Sequence, residues 1–381
     1  MSGGPLEGVR VFELGGIGPA PFACMMLADL GADVIRADRP GAFMHPVLHR
    51  NRRSIALDLK SPRGRDLALR IAGTSDAVVE GFRPGAAERL GLGPDDVAGV
   101  NARAVYGRMT GWGQDGPWAQ MPGHDINYIA LTGALHAIGP ADGDPVVPLN
   151  LVGDFGGGGM LLAYGLLAGI VNARTTGRGQ VVDAAMVDGS ALLMSMIHGY
   201  LSQGRWADVR GVNRLDGTAP WYRTYACADG RHIAVGCIEP QFYTAFLRVL
   251  GLTEDADFDA PDDEGRWRAM TARLRSIFAT RTRDEWASLF DRTDACVTPV
   301  LSIGEAPSHP HNAARGTYEE IDGGYAPRPA PRFGTTPSGP GRPAPAVGAD
   351  GIDLLSELDV ATGEAQELIS AGVVTIPPEA P

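Results

Sequence analysis

Residues 9–36 read as strand, loop, helix and strand in immediate succession, and this order constrains the fold more than any other feature of the chain. Residues 9–14 are apolar and β-prone, and Gly15-Gly16-Ile17-Gly18-Pro19 breaks the run. Residues 22–30 have helical spacing closed by Gly31, and Asp33-Val34-Ile35-Arg36 resumes an extended pattern. Two strands joined through a helix pair in parallel, because the crossover returns the chain to the same edge before the second strand begins. A parallel sheet needs helices on both faces, so the unit predicts an α/β architecture. The glycine loop is close to a dinucleotide fingerprint but departs from it. Pro21 stands where the third glycine belongs, and the second strand ends near Arg36 rather than on an acid that could hold a ribose. A nicotinamide site is not expected.

The pattern continues with a helix start at Ser61-Pro62, strands at 76–80 and 105–109, and helical spacing over 126–138. Asp154 precedes four glycines, Gly156 to Gly159, and a long apolar helix running to about residue 172. Its most apolar stretch, 160–171, is too short to span a bilayer, which takes roughly 20 residues, and is expected to be a buried helix. A strand at 181–184 and a helix at 188–202 follow. The 381 residues are too many for one core. A large α/β domain over 1–200 is therefore expected, completed by 310–381, with a linker at 201–220. Residues 221–226 and 232–236 flank Asp229-Gly230, a hairpin signal, and three helical stretches follow up to residue 291. This marks a smaller α+β domain over 221–300. Residues 323–345 are rich in proline and glycine and are expected to form a connector.

Composition narrows the partners. The net charge of −12 excludes the broad basic surface of a nucleic-acid binder. The four cysteines, Cys24, Cys227, Cys237 and Cys296, have no metal-ligand spacing, so no metal is expected and a reduced, cytoplasmic protein is the default. The N-terminal stretch lacks the pattern of a signal peptide, and the last residues are not a peroxisomal address. No membrane association is expected.

Three segments place titratable groups at element ends: Gly123-His124-Asp125-Ile126-Asn127-Tyr128, Asn150-Leu151-Val152-Gly153-Asp154-Phe155-Gly156 and Gly236-Cys237-Ile238-Glu239-Pro240-Gln241. His124 is either a helix-start histidine with a local hydrogen bond or a general base. Asp154 is either an N-cap or a second acid/base group. The glycines behind it cost a helix about 1 kcal/mol each against alanine, so Gly156 and Gly157 are candidates for a helix start whose N–H groups meet an oxyanion. Glu239 is either a helix-start acid or the group that orients a histidine. The cations Arg36, Arg39, Arg50, Arg52, Arg53, Lys60, Arg83 and Arg89 cluster between residues 36 and 89, and Lys60 is the one lysine in the chain. They form either a solvated face or the seat of a multiply phosphorylated ligand.

Asn51-Arg52-Arg53-Ser54-Ile55-Ala56-Leu57-Asp58-Leu59-Lys60, Asp76-Ala77-Val78-Val79-Glu80-Gly81-Phe82-Arg83-Pro84-Gly85 and Thr110-Gly111-Trp112-Gly113-Gln114-Asp115-Gly116-Pro117 resemble the signatures of the family III CoA-transferase superfamily. The resemblance runs from about residue 5 to the C-terminal helices. Within that superfamily, Gly123-His124-Asp125, Gly153-Asp154-Phe155-Gly156-Gly157-Gly158 and Ile238-Glu239-Pro240-Gln241-Phe242-Tyr243 resemble the α-methylacyl-CoA racemases, the bacterial type especially. The resemblance implies a large nucleotide-fold-like domain, a small domain, and two interlocked chains that share their sites. It implies His124 and Asp154 as the two catalytic acid/base residues, with Glu239 pairing with His124 across the dimer. It places coenzyme A on Arg36, Leu57, Asp58, Leu59, Lys60, Gly81, Phe82, Arg83, Arg89 and the stretch Gly123, Asp125, Ile126, Asn127 and Tyr128. The expected reaction inverts C2 of a 2-methylacyl-CoA by proton transfer, with no separate cofactor, since CoA arrives with the substrate. A CoA-transferase using Asp154 as nucleophile is the rival, and a non-catalytic acyl-CoA-binding relative is a third reading. One departure stands near the C-terminus: Gly348-Ala349-Asp350-Gly351 occupies the place of a Gly-x-His-Thr.

Overall fold

The structure is a computed structural model and describes residues 3–321, 323–336 and 341–378. The chain packs as two compact units, one of Met1–Thr132, Leu149–Met194 and Gly316–Pro381, the other of Gly133–Pro148 and Ser195–Arg315. The first holds β1 (Arg10–Glu13), β2 (Asp33–Asp38), β3 (Arg53–Leu57), β4 (Ala77–Glu80), β5 (Val105–Thr110) and β6 (Val181–Ala185). They form one parallel sheet in the order β3-β2-β1-β4-β5-β6, and Val374–Thr375 pairs antiparallel with β3 at the edge. The residues of β4 and β5 are all buried, as helices on both faces require. One apolar layer joins β1, β2 and β5 to the helices Pro19–Asp29 and Leu161–Thr176; the other joins the sheet to Pro62–Gly73 and the C-terminal helices. The α/β expectation is met.

Buried charged residues brace this sheet and its first helix from inside. Arg50 pairs with Asp29 at 2.6 Å, Arg52 with Glu13 at 2.9 Å and Arg36 with Asp38 at 3.0 Å, and all six side chains are buried. Arg53, half-buried, bridges Asp33 and Glu357. Four of the eight clustered cations are therefore internal struts.

The second unit pairs β7 (Tyr222–Ala226), β8 (His232–Gly236) and β9 (Val297–Pro299) antiparallel. Helices Pro240–Leu250, Trp267–Phe278 and Arg283–Phe290 share with them an aromatic core built on Trp221, Tyr225, Phe246, Phe258 and Phe278.

Four sequence expectations need correction. The helical spacing over 126–138 is broken at Gly133, whose φ of 79° ends the helix Asp125–Leu131 and sends 133–148 into the second unit. The 188–202 helix is two, Met186–Leu193 and Ser195–Ser202, and the chain passes from one unit to the other between them. The apolar helix is longer than expected: a π-helix, Leu151–Met160, runs into the α-helix Leu161–Thr176. Its 26 residues reach the length and apolarity of a bilayer span, yet they pack against β5, β6 and three helices, Pro19–Asp29, Asp125–Leu131 and Met186–Leu193. The connector over 323–345 contains a strand, Gly324–Pro327, paired with Tyr318–Ile321, and its residues 337–340 lie outside the described ones.

Candidate active site

The strand order reverses direction between β1 and β4. At such a point the following segments leave to opposite faces, so the carboxyl ends of the two strands open a crevice. The loop after β1 carries Gly18, and a Cβ there would stand 3.7 Å from Asp154 Oδ2. The loop after β4 carries Gly81, Phe82 and Arg83, with the Phe82 N–H donating to Glu80 at 2.6 Å. Burial pushes the Glu80 carboxyl up to about 7, against the pull of that N–H and of Arg108.

His124 is the N-cap of Asp125–Leu131. Its N–H donates to Asn127 Oδ1 at 3.0 Å, and its carbonyl accepts the N–H of Asn127 and Tyr128 at 2.8 and 3.3 Å. Asn127 is thereby a helix-start residue, and the imidazole of His124 is exposed. Asp154 lies in the first turn of the π-helix and is half-buried. Asn150 Nδ2 donates to its Oδ2 at 3.2 Å, and its backbone N–H donates to Asp125 Oδ2 at 2.7 Å. Burial raises the Asp154 carboxyl above its ordinary range; the Asn150 bond pulls it down, the charge of Asp125 pushes it up, and His124 pulls it down, with a net rise. His124 and Asp154 are thus electrostatically coupled in one unit. π-Turns recur where a helix carries a functional group, since the widened turn re-aims a side chain.

Tyr128 is buried beside them. It stands edge-on to Trp112 at 4.8 Å, and burial, Asp154 and Asp125 raise its hydroxyl to about 12. A Cβ on Gly111 would fall 2.4 Å from that hydroxyl, and one on Gly123 2.8 Å from its ring. The glycines of Thr110-Gly111-Trp112-Gly113 and Gly123-His124 clear room for this tyrosine.

The oxyanion expectation for Gly156 and Gly157 does not hold. The helix begins at Leu151, so both residues lie inside it. A Cβ on Gly157 would meet Ser190 N at 2.6 Å, one on Gly158 Met186 at 2.9 Å, and one on Gly159 Phe22 at 2.7 Å. The glycine run is bought by close helix crossings against Pro19–Asp29 and Met186–Leu193, not by ligand approach.

Arg36 is placed differently from a surface phosphate contact. The residue is 3% exposed, and its guanidinium is occupied by Asp38 at 3.0 Å, His49 Nδ1 at 2.5 Å and the Gly16 carbonyl at 3.5 Å. Burial, then Arg36, Arg52 and His45, push His49 down to about 3, so it accepts as a neutral ring. Leu57 is a core residue of β3. Asp58 turns the chain, its Oδ1 accepting the Lys60 N–H at 3.1 Å, and Ser61 caps Pro62–Gly73. Leu59, Lys60, Arg65, Glu88 and Arg89 line a cavity of about 380 Å³, which brings Lys60 and Arg89 together. Arg83 and Ile126 are exposed. Glu239 belongs to the second unit, an exposed N-cap of Pro240–Leu250. Sequence reasoning missed Asn150 and Gly18 as neighbours of Asp154. The four-residue spacing from Asn150 to Asp154 is the signal that could have found the first.

Comparison with known proteins decides the family. Residues 6–351 match the CoA-transferase family III. The chain belongs to that family. Over 376 residues it is 43% identical to the α-methylacyl-CoA racemase of Homo sapiens, covering 97% of each chain. It is 30% identical to the human succinyl-CoA:glutarate CoA-transferase over 97% of this chain and 90% of that one. The crystal structure of a CaiB/BaiF family protein from Brucella suis superimposes with a TM-score of 0.81 at 25% identity, over 93% of this chain and all of that one (100%). The family III fold accounts for the sheet order and the second unit. The C-terminal departure, Gly348-Ala349-Asp350-Gly351, has a structural place in this chain. Asp350 Oδ2 accepts the Ser54 N–H at 2.7 Å, the Gly348 N–H donates to Ser54 Oγ at 2.9 Å, and Ser54 Oγ donates to Asp38 at 2.7 Å.

Proposed function

We propose that this chain is an isomerase that inverts C2 of a 2-methylacyl-CoA thioester. The carrying observation is the coupled pair of acid/base groups, His124 and Asp154, beside the switch-point crevice of the sheet. The 43% identity to a named racemase over nearly the whole chain supports the same reading. One base takes the C2 proton, and the C2–H electron pair moves into the thioester carbonyl as an enolate. The other base returns a proton to the opposite face, and the thioester bond stays intact. A two-base enzyme needs one group protonated and one free at rest. His124 caps one helix, and Asp154 lies in the first turn of another.

CoA lies across the Lys60 and Arg89 cavity and the Gly81–Arg83 loop in this reading, with Glu239 of a second copy orienting His124. The enzyme works as a homodimer in the cytoplasm and needs no separate cofactor. Large exposed apolar residues on the core helix and its neighbour, Tyr164, Val171 and Leu192, support a partner surface.

A CoA-transferase with Asp154 as nucleophile is the second reading, favoured by the 30% identity to a glutarate transferase. Incubation of one epimer in deuterium oxide without an acceptor acid separates the two. The racemase gives both epimers, with deuterium at C2 and the thioester intact. No C2 exchange, together with a hydroxylamine-trappable adduct on Asp154, overturns the isomerase.

A further inference from the structure

Asp125 was expected to meet the substrate. It is 6% exposed, and its carboxylate is turned to the protein. Oδ2 accepts the backbone N–H of Asp154 at 2.7 Å, a charge-assisted bond across 29 residues of chain. Oδ1 is buried with no hydrogen-bond partner. Gly153 is held against the same carboxylate, since a Cβ there would stand 2.6 Å from Oδ2. Asp125 is also the residue next to His124. A single side chain therefore joins the backbone of one proposed base to the backbone of the other.

We infer that Asp125 is a positioning residue, which fixes the separation of His124 and Asp154 and sets a carboxylate against the Asp154 backbone. The inference rests on the two-base reading above. A buried carboxylate with one free oxygen is costly for stability alone. An asparagine could accept the same N–H through its own oxygen, so that bond by itself does not require the charge of Asp125. The groups facing Asp154 are few. Asn150 lies on its own helix, Asp125 and His124 come from the Asp125–Leu131 helix together with the Tyr128 hydroxyl, and the loop after β1 contributes Gly18, which does not titrate. Among these, Asp125 raises the Asp154 carboxyl, while Asn150 and His124 lower it.

The test compares D125N with D125A in the full-length protein. A two-base racemase starts each turnover with one proton on its pair of bases, so the acid limb of its pH profile reports uptake of a second. D125N keeps an acceptor for the Asp154 N–H and removes the charge. It should shift the acid limb of kcat/KM for C2 exchange to lower pH, and leave the Asp154 amide protected from hydrogen exchange by mass spectrometry. D125A removes the acceptor. It should expose that amide to exchange and lower kcat about 100-fold, since a displacement of about 1 Å costs that much. A residue that merely supports the fold would lower stability in both variants and leave the acid limb in place. An unmoved acid limb in D125N, or a protected Asp154 amide in D125A, overturns the inference. Should D125A fail to fold, the D125N profile decides alone. Absence of C2 exchange in the wild type would instead overturn the proposed function, and the amide protection in D125A would then decide the positioning role by itself.

Discussion

Gly189→Ala separates two accounts of the glycine-rich helix. Gly189 faces Gly157 where Met186–Leu193 crosses the π-helix. A Cβ on Gly189 would lie 1.8 Å from the Gly157 carbonyl oxygen and 2.5 Å from its carbon. Both are backbone atoms, so no side chain can swing aside. Carbon–oxygen contact normally begins at about 3.3 Å, so the helices must part by roughly 1.5 Å. Overpacking of this kind costs about 1–3 kcal/mol, and alanine returns about 1 kcal/mol of helix propensity over glycine. The net loss of stability is then about 0–2 kcal/mol, a Tm drop of a few degrees at most. Activity is affected far more. Asp154 sits one turn from Gly157, and a displacement of about 1 Å costs about 100-fold in rate. The C2-exchange rate and a thermal melt measured on the same sample check this. Gly99→Ala is the control, because Gly99 lies in the helix Pro94–Val100 with open space around its Cβ position. It should gain about 0.5–1 kcal/mol with unchanged kcat. If Gly189→Ala keeps wild-type kcat, the helix crossing does not position Asp154, and the reading in which the glycines admit a ligand returns.

Lys60→Ala and Arg89→Ala should each raise KM for an acyl-CoA by about 10–100-fold with little change in kcat, the worth of a charge-assisted bond to phosphate; steady-state kinetics with unchanged KM in both would move CoA elsewhere. Ser54→Ala should cost about 1–3 kcal/mol in denaturant unfolding, because it strands the buried Asp38 oxygen and the Gly348 N–H, and should leave kcat alone. Glu80 is a carboxyl raised in the folded state to about 7, so its contribution to stability falls as pH rises from its unfolded value toward 7. Glu80→Gln should flatten the pH dependence of unfolding across that window.

The sheet was legible early because hydrophobic runs and glycine breaks are local signals, and a strand, loop, helix and strand leave one way to pair. The two proposed bases were picked out for a related reason: each stands at an element end, marked by Pro122-Gly123 in one case and the glycine run in the other. What the sequence hid is which charges face inward. Arg36, Arg50 and Arg52 look like any basic surface stretch, and their partners Asp38, Asp29 and Glu13 become partners only when β1, β2 and the Pro19–Asp29 helix are packed. The signature Asn51-Arg52-Arg53-Ser54 is thus in large part a set of struts behind the crevice rather than a ligand contact. The glycine run misled in the same way. A helix penalised by four glycines points to a close approach, and nothing local says whether a ligand or a second helix makes it. Asp125 shows the limit most sharply. It was picked out for adjacency to His124, and its bond to the Asp154 N–H depends on a π-helix that no periodicity announces. The two proposed bases are 30 residues apart in sequence, and the contact that ties them runs through a side chain assigned to the substrate until the fold turned it inward.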